Sequence, residues 1–215
     1  MALLNDKIKQ EIKEVFKDLK ADVTIKYFTQ EMECHFCKET HELYQELKSL
    51  SDKIRLEVYD FIRDEEQKKR FAIDKIPGAV IMADKDFGIR FFGIPSGYEF
   101  SSLIEAVKMV STGETRLTDA TRDFLRQLDK DVHLQVFVTP TCPYCPPAVV
   151  LAQQMALVSP RVRADMIEAT EFPQLSQKFN VMGVPRTVIN GREFIEGAAP
   201  EKMLVDKIKE SLKAG

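Results

Sequence analysis

One spacing constrains this chain more than any other. A Cys-x-x-Cys pair is followed, 43 positions after its first cysteine, by a proline behind a branched residue, and the whole arrangement then recurs. Cys34-His35-Phe36-Cys37 precedes Ile76-Pro77, and Cys142-Pro143-Tyr144-Cys145 precedes Val184-Pro185, the intervals 77 − 34 and 185 − 142 being equal. The two pairs use all four cysteines of the chain. Phe71 and Phe179 repeat at the same offset as the cysteines. A fold that honours this pattern builds one unit twice, each of about the size a small domain needs for its own core.

The elements between these landmarks support the duplication. Ile8, Ile12, Val15, Phe16 and Leu19 recur at helical spacing, so residues 5–20 predict a helix capped by Asn5. Val23 to Thr29 is β-branched and aromatic, as a strand requires. Helical spacing returns from Cys34 to Leu50, strand alternation over Ile54–Tyr59, and a charged helix over Asp64–Ile73. Strands at Ala79–Ala83 and Ile89–Phe92 and a helix at Ser101–Val110 close the first unit. The second half repeats the series from Leu117 to Leu212, with Asn190-Gly191 as a strong hairpin turn. The small polar stretch Ser111 to Glu114 reads as the boundary, which divides the chain into units 1–112 and 113–215. The order α-β-α-β-α-β-β-α is expected in each. Two extra residues precede Cys34 relative to Cys142, since Thr29 matches Thr139 at an offset of 110.

Composition narrows the chemistry. Hydrophobic residues at 44% and charged residues at 30% describe a globular chain. A net charge of −3 offers no concentrated positive field for nucleic acid. Met1 to Lys20 alternates charged and apolar residues, unlike a secretory signal, and no run approaches a membrane span. The cytoplasm is the expected location, where paired cysteines point to thiol chemistry more than to a static scaffold. Frequent Lys and Glu with only three asparagines lean towards a thermophile.

A Cys-x-x-Cys pair at the start of a helix brings two sulfurs within bonding range. The helix N-terminus stabilises an anion there. Cys34 and Cys142 are therefore expected as low-pKa nucleophiles, with Cys37 and Cys145 resolving the mixed disulfide. His35, Phe36, Pro143 and Tyr144 would tune the potential, and Phe36 and Tyr144 would also serve as an apolar docking rim. Ile76-Pro77 and Val184-Pro185 are read as cis-proline loops that offer backbone groups to an incoming peptide. Glu57 and Asp165 are matched acids in otherwise apolar strands. They are candidates to relay the resolving cysteine's proton, although a charge at the wet end of a strand is the plainer reading.

On these residues the chain resembles the glutaredoxin-like protein disulfide oxidoreductases of thermophiles, and Cys142-Pro143-Tyr144-Cys145 matches the glutaredoxin active-site tetrapeptide. The resemblance implies two tandem thioredoxin-like α/β units, each a mixed four-stranded central sheet flanked by helices. It implies exchange with protein disulfides and dithiols through redox-active cysteine pairs without a further cofactor. A thioredoxin-reductase-type flavoenzyme is the implied electron donor. A dedicated electron carrier for a peroxiredoxin is the closer alternative. The different-class alternative is a zinc scaffold, since two Cys-x-x-Cys knuckles offer four thiolates. A complete unit separates the pairs, and the trio Cys34, Cys37 and His41 has no counterpart because Val149 stands at the repeat position. No metal is expected.

Overall fold

In the computed structural model of the chain, residues 3–213 are described. The first half runs α1 (Asp6–Phe16), β1 (Val23–Thr29), α2 (Cys37–Lys48), β2 (Ile54–Asp60), α3 (Glu65–Arg70), β3 (Gly78–Met82), β4 (Ile89–Phe92) and α4 (Glu99–Thr112). The second repeats the order as α5 (Asp119–Arg126), β5 (Val132–Val138), α6 (Cys145–Val158), β6 (Val162–Glu168), α7 (Pro173–Lys178), β7 (Arg186–Ile189), β8 (Glu193–Glu196) and α8 (Glu201–Lys213). Both opening helices carry a side-chain cap: Asn5 accepts from the Ile8 amide and Thr118 from the Thr121 amide. The first helix stops at Phe16, short of the expected Lys20, and the chain reaches β1 through non-helical residues.

Within each half the central strands pair identically. β1 runs parallel to β2 and antiparallel to β3, and β3 is antiparallel to β4. β5 is likewise parallel to β6 and antiparallel to β7, with β8 at the edge. Beyond the expected pair of four-stranded sheets, the halves are fused. β4 pairs in parallel with β6, from Ile89 opposite Ala164 to Phe92 opposite Ile167, giving one eight-stranded sheet of order β2-β1-β3-β4-β6-β5-β7-β8. Gly88 makes this seam possible. It adopts φ +80°, and a Cβ there would lie 2.6 Å from the Val162 carbonyl oxygen.

Side-chain alternation divides the sheet between two cores. Ile25 and Tyr27 face the larger core, which also holds Phe16, Leu47, Leu103, Leu125, Ala152 and Ile208 from six helices. Phe28, Val80, Phe92, Phe137 and Val188 face the other side, where Leu175 of α7 and Phe71 and Phe179, which cap the ends of the short helices, cover them. Among the described residues no helix is long and apolar enough to cross a membrane.

The strand directions fix where the chemistry sits. β1 and β5 point the same way, so the loops that follow them emerge at one edge of the sheet. Four strand spacings lie between them, roughly 19 Å.

Candidate active site

Each cysteine pair lies where a carboxyl end of the sheet becomes a helix. β1 ends at Thr29, the polar loop Gln30–Glu33 follows with Glu33 in the left-handed region, and α2 begins on Cys37 itself. The Phe36 carbonyl accepts from the Thr40 amide at 2.9 Å and the Thr40 hydroxyl at 2.7 Å, which closes the first turn. In the second copy Thr139 and Pro140 lead to Cys142, whose amide donates to the Thr139 carbonyl, and α6 begins on Cys145. Both pairs are disulfides, with Cα atoms 5.4 and 5.5 Å apart. In each, the second cysteine is the deeper one, 2% exposed for Cys37 and 0% for Cys145. The first is more open: Cys34 is half-buried and Cys142 9% exposed.

The peptide bonds before Pro77 and Pro185 are both cis. Cys142 Sγ lies 3.6 Å from the Val184 carbonyl oxygen, which a reduced thiol would meet as donor. The two loops are tied down alike, because the Gly93 amide donates to the Pro77 carbonyl and the Gly197 amide to the Pro185 carbonyl. Gly93 is also a close approach, since a Cβ there would lie 2.6 Å from Glu168 Cβ. Tyr144 is 71% exposed, Pro143 is exposed, and His35 lies exposed with its ring edge-on to Phe36. Met32 and Met182, in the loops ahead of Cys34 and of Val184, are exposed as well.

The matched acids are turned away from the sulfurs, a correction to the relay expectation. Glu57 pairs in register with Lys26, and its carboxylate accepts from the Lys26 ammonium and from the Tyr59 hydroxyl at 2.6 Å. The hydrogen bond from Lys26 chiefly, with that from Tyr59, holds its carboxyl below the usual range. Val58 and Asp60 line the cavity beside Cys34, so alternation sends Glu57 to the opposite face. Asp165 lies opposite Gln135, well before the carboxyl end of β5 that leads to Cys142. It is fully enclosed and accepts from His133 Nε2 at 2.6 Å and from Arg163 Nε at 2.7 Å. Burial alone would raise its carboxyl; the His133 bond and the Arg163 charge reverse that and bring it to about 2.

Other buried acids stand where the two halves meet, and no motif or spacing in the chain marks them. Glu171, after β6, accepts from the Ile94 amide, after β4, at 2.6 Å. Burial first, then the charges of Glu168 and Glu39, raise its carboxyl to about 7 against the pull of that amide. Glu99 opens α4 next to Tyr98, whose amide donates to the Pro140 carbonyl just before Cys142. Glu99 is 1% exposed, and burial raises its carboxyl to about 7 against a bond from Ser102. The seam between β4 and β6 brings both groups next to the other half's loops.

The two pairs cannot share a metal, since four thiolates on one zinc each sit about 2.3 Å from it and these pairs are anchored four strands apart. Among the described residues no group of three or more His, Cys, Asp or Glu is placed to hold an ion.

Two cysteine pairs, each with its second sulfur buried at a helix start and each followed in its unit by a cis-proline, define a thiol–disulfide oxidoreductase of thioredoxin-like fold in two tandem units. Comparison with known proteins agrees. Residues 132–210 match the model of the thioredoxin domain family. The chain is 27% identical over 209 residues to the AhpF component of alkyl hydroperoxide reductase of Staphylococcus aureus, covering 96% of this chain and 38% of that protein. It is 25% identical over 213 residues to a Bacillus subtilis protein named NADH dehydrogenase, covering 99% of the chain and again 38% of the relative. The chain thus spans 38% of the length of these curated relatives. Among solved structures, a protein disulfide oxidoreductase from Aeropyrum pernix K1 superimposes with TM-score 0.91 at 28% identity, covering 98% of this chain and 94% of that one. The NTD_N/C domain of the alkyl hydroperoxide reductase AhpF from Enterococcus faecalis gives TM-score 0.89 at 28% identity, covering 95% and 99%.

Proposed function

We propose that this chain exchanges protein disulfides through both pairs, Cys34 and Cys142 attacking and Cys37 and Cys145 resolving. The observation that carries the reading is the paired geometry: each open sulfur stands ahead of a helix N-terminus that favours its thiolate. The cis-proline loops Ile76-Pro77 and Val184-Pro185 supply backbone on which an extended substrate segment docks. Phe36 and Tyr144 form the apolar rim. The units divide at 112/113, the cysteine pairs carry the electrons without a further cofactor, and the cytoplasm is the setting. Reduction of a substrate disulfide leaves a pair oxidised, and a flavoenzyme of the thioredoxin-reductase type restores the dithiol. Run in reverse, the disulfide form oxidises substrate dithiols.

A second reading has its own support. The match to the AhpF component of alkyl hydroperoxide reductase covers nearly the whole chain, which favours a carrier that reduces a peroxiredoxin-type partner. One comparison separates the two: turnover with insulin against turnover with an oxidised peroxiredoxin, both with the same reductant. Comparable turnover supports the general activity, and reduction of the peroxiredoxin alone supports the dedicated carrier. Failure on both substrates, with one zinc bound per chain, would overturn both readings.

A further inference from the structure

The first site holds a titratable side chain that the exchange above leaves without a task. His41 lines a cavity of about 470 Å³ together with Cys34, Cys37, Lys38 and Asp60. It stands one helical turn after Cys37. Helical side chains lean towards the N-terminus, so the imidazole is directed back towards the cysteine pair. Its ring stacks on Tyr27, centroids 5.7 Å apart. The Tyr27 hydroxyl donates to the Cys37 carbonyl at 2.7 Å, so one aromatic wall fixes both the helix start and the imidazole. Burial raises the Tyr27 phenol, which stays neutral and is a wall, not a proton source. The second site has no such group, because the repeat position is the buried Val149.

The geometry points to His41 as the proton-transfer group of the first site, taking the Cys37 proton when Cys37 attacks the mixed disulfide. The assignment rests on the exchange reading above. With substrate joined to Cys34 Sγ, the Cys37 thiol proton passes to the neutral imidazole. The Cys37 thiolate then bonds to Cys34 Sγ while the bond from Cys34 to the substrate sulfur breaks. The departing substrate thiolate carries the electron pair and takes the proton back from the imidazolium. The cysteine pair loses two electrons and the substrate disulfide gains them, with no outside reactant. Glu31, Asp60 and Lys38 are the other charged groups that share the cavity; His35 lies exposed against Phe36.

The test uses the chain carrying Cys142→Ser and Cys145→Ser, so that only the first pair works, in single-turnover reduction of insulin from pH 5 to 9. His41→Gln is expected to remove the rising limb that the imidazole contributes and to slow resolution about 100-fold near neutral pH, the low end for a positioned acid–base group. The gap should close above about pH 8.5, where a thiol ionises unaided. Added imidazole should restore part of the rate, which a purely structural role for His41 would not allow. Titration of the His41 ring by NMR in the unsubstituted chain gives a second readout, with midpoints expected to differ between the oxidised and reduced pair. An unchanged pH profile in His41→Gln, or equal midpoints, overturns the assignment while leaving exchange intact. No insulin reduction by the single-site chain would instead sink the exchange reading on which it rests.

Discussion

β2 and β6 are the same strand of the repeated unit, yet they lie in different surroundings. β2 is the edge of the sheet, with Glu57 and Val58 exposed. β6 is covered by β4 on one side and β5 on the other, and Asp165 is sealed. The helices after the cysteines diverge in the same way. α2 is amphipathic, burying Leu43, Tyr44 and Leu47 while Lys38, Gln45 and Lys48 face water. α6 buries Ala148, Val149, Ala152, Gln153 and Met155 around much of its circumference, because α4 from the other half packs against it. Duplication copied the chemistry, and fusion through the seam made the second site central and the first peripheral. Identical positions therefore carry unequal energetic weight.

The largest effect should come from the sulfurs. Cys34→Ser with Cys142→Ser is expected to abolish protein disulfide exchange, while either alone leaves the other site turning over, read as insulin reduction. Next comes the contrast between the matched acids. Asp165→Ala strands Arg163 and His133 and should cost about 3–5 kcal/mol in denaturant unfolding, as breaking a buried pair does. Glu57→Ala, which removes the partner of a half-buried Lys26 on the edge strand, should cost less, about 1 kcal/mol. Comparable losses at the two positions would break the account of centre and edge.

The pH dependence sharpens the same contrast, and the signs differ. The Asp165 carboxyl is depressed to about 2 in the fold. Its contribution is present above the unfolded carboxylate range and is lost as pH falls through 4 towards 2, about 2 kcal/mol in all. Glu99 is raised to about 7, so the folded chain loses stability as pH rises from about 4.5 through 7. Glu99→Gln should therefore gain up to about 3 kcal/mol on the wild type at pH 8 and nothing at pH 4. The smallest effect concerns the first helix start. Tyr27→Phe removes the bond to the Cys37 carbonyl and should cost about 1 kcal/mol. The strand register puts Val136, which has no hydroxyl, at that position in the second unit.

Much of this was legible in the chain. Local chemistry fixed the elements: β-branched runs made strands, Asn5 made a cap, and Asn190-Gly191 made the β7–β8 turn. The cysteine and proline spacings located both sites because a covalent or backbone constraint acts over a fixed distance within one unit. What could not be read were relations between units. Nothing in Ile89-Arg90-Phe91-Phe92 says that its open edge meets β6. The contrast between Glu57 and Asp165, and the placing of Glu99 and Glu171 near the other half's loops, follow from that pairing alone. His41 was visible as a helical neighbour of Cys37, but its stacking on Tyr27 needed the packed core.

The central claim is that both pairs exchange with substrate through their first cysteine, and trapping tests it most directly. Cys37→Ser and Cys145→Ser each remove a resolving sulfur, so a protein disulfide substrate should stay attached. Each is made in a chain whose other pair is replaced by serines, reduced, and mixed with an oxidised substrate. Mass spectrometry should find the adduct on Cys34 in the first variant and on Cys142 in the second. No adduct at either first cysteine, or adducts that form only on Cys37 and Cys145 when Cys34→Ser and Cys142→Ser are made instead, would contradict the account.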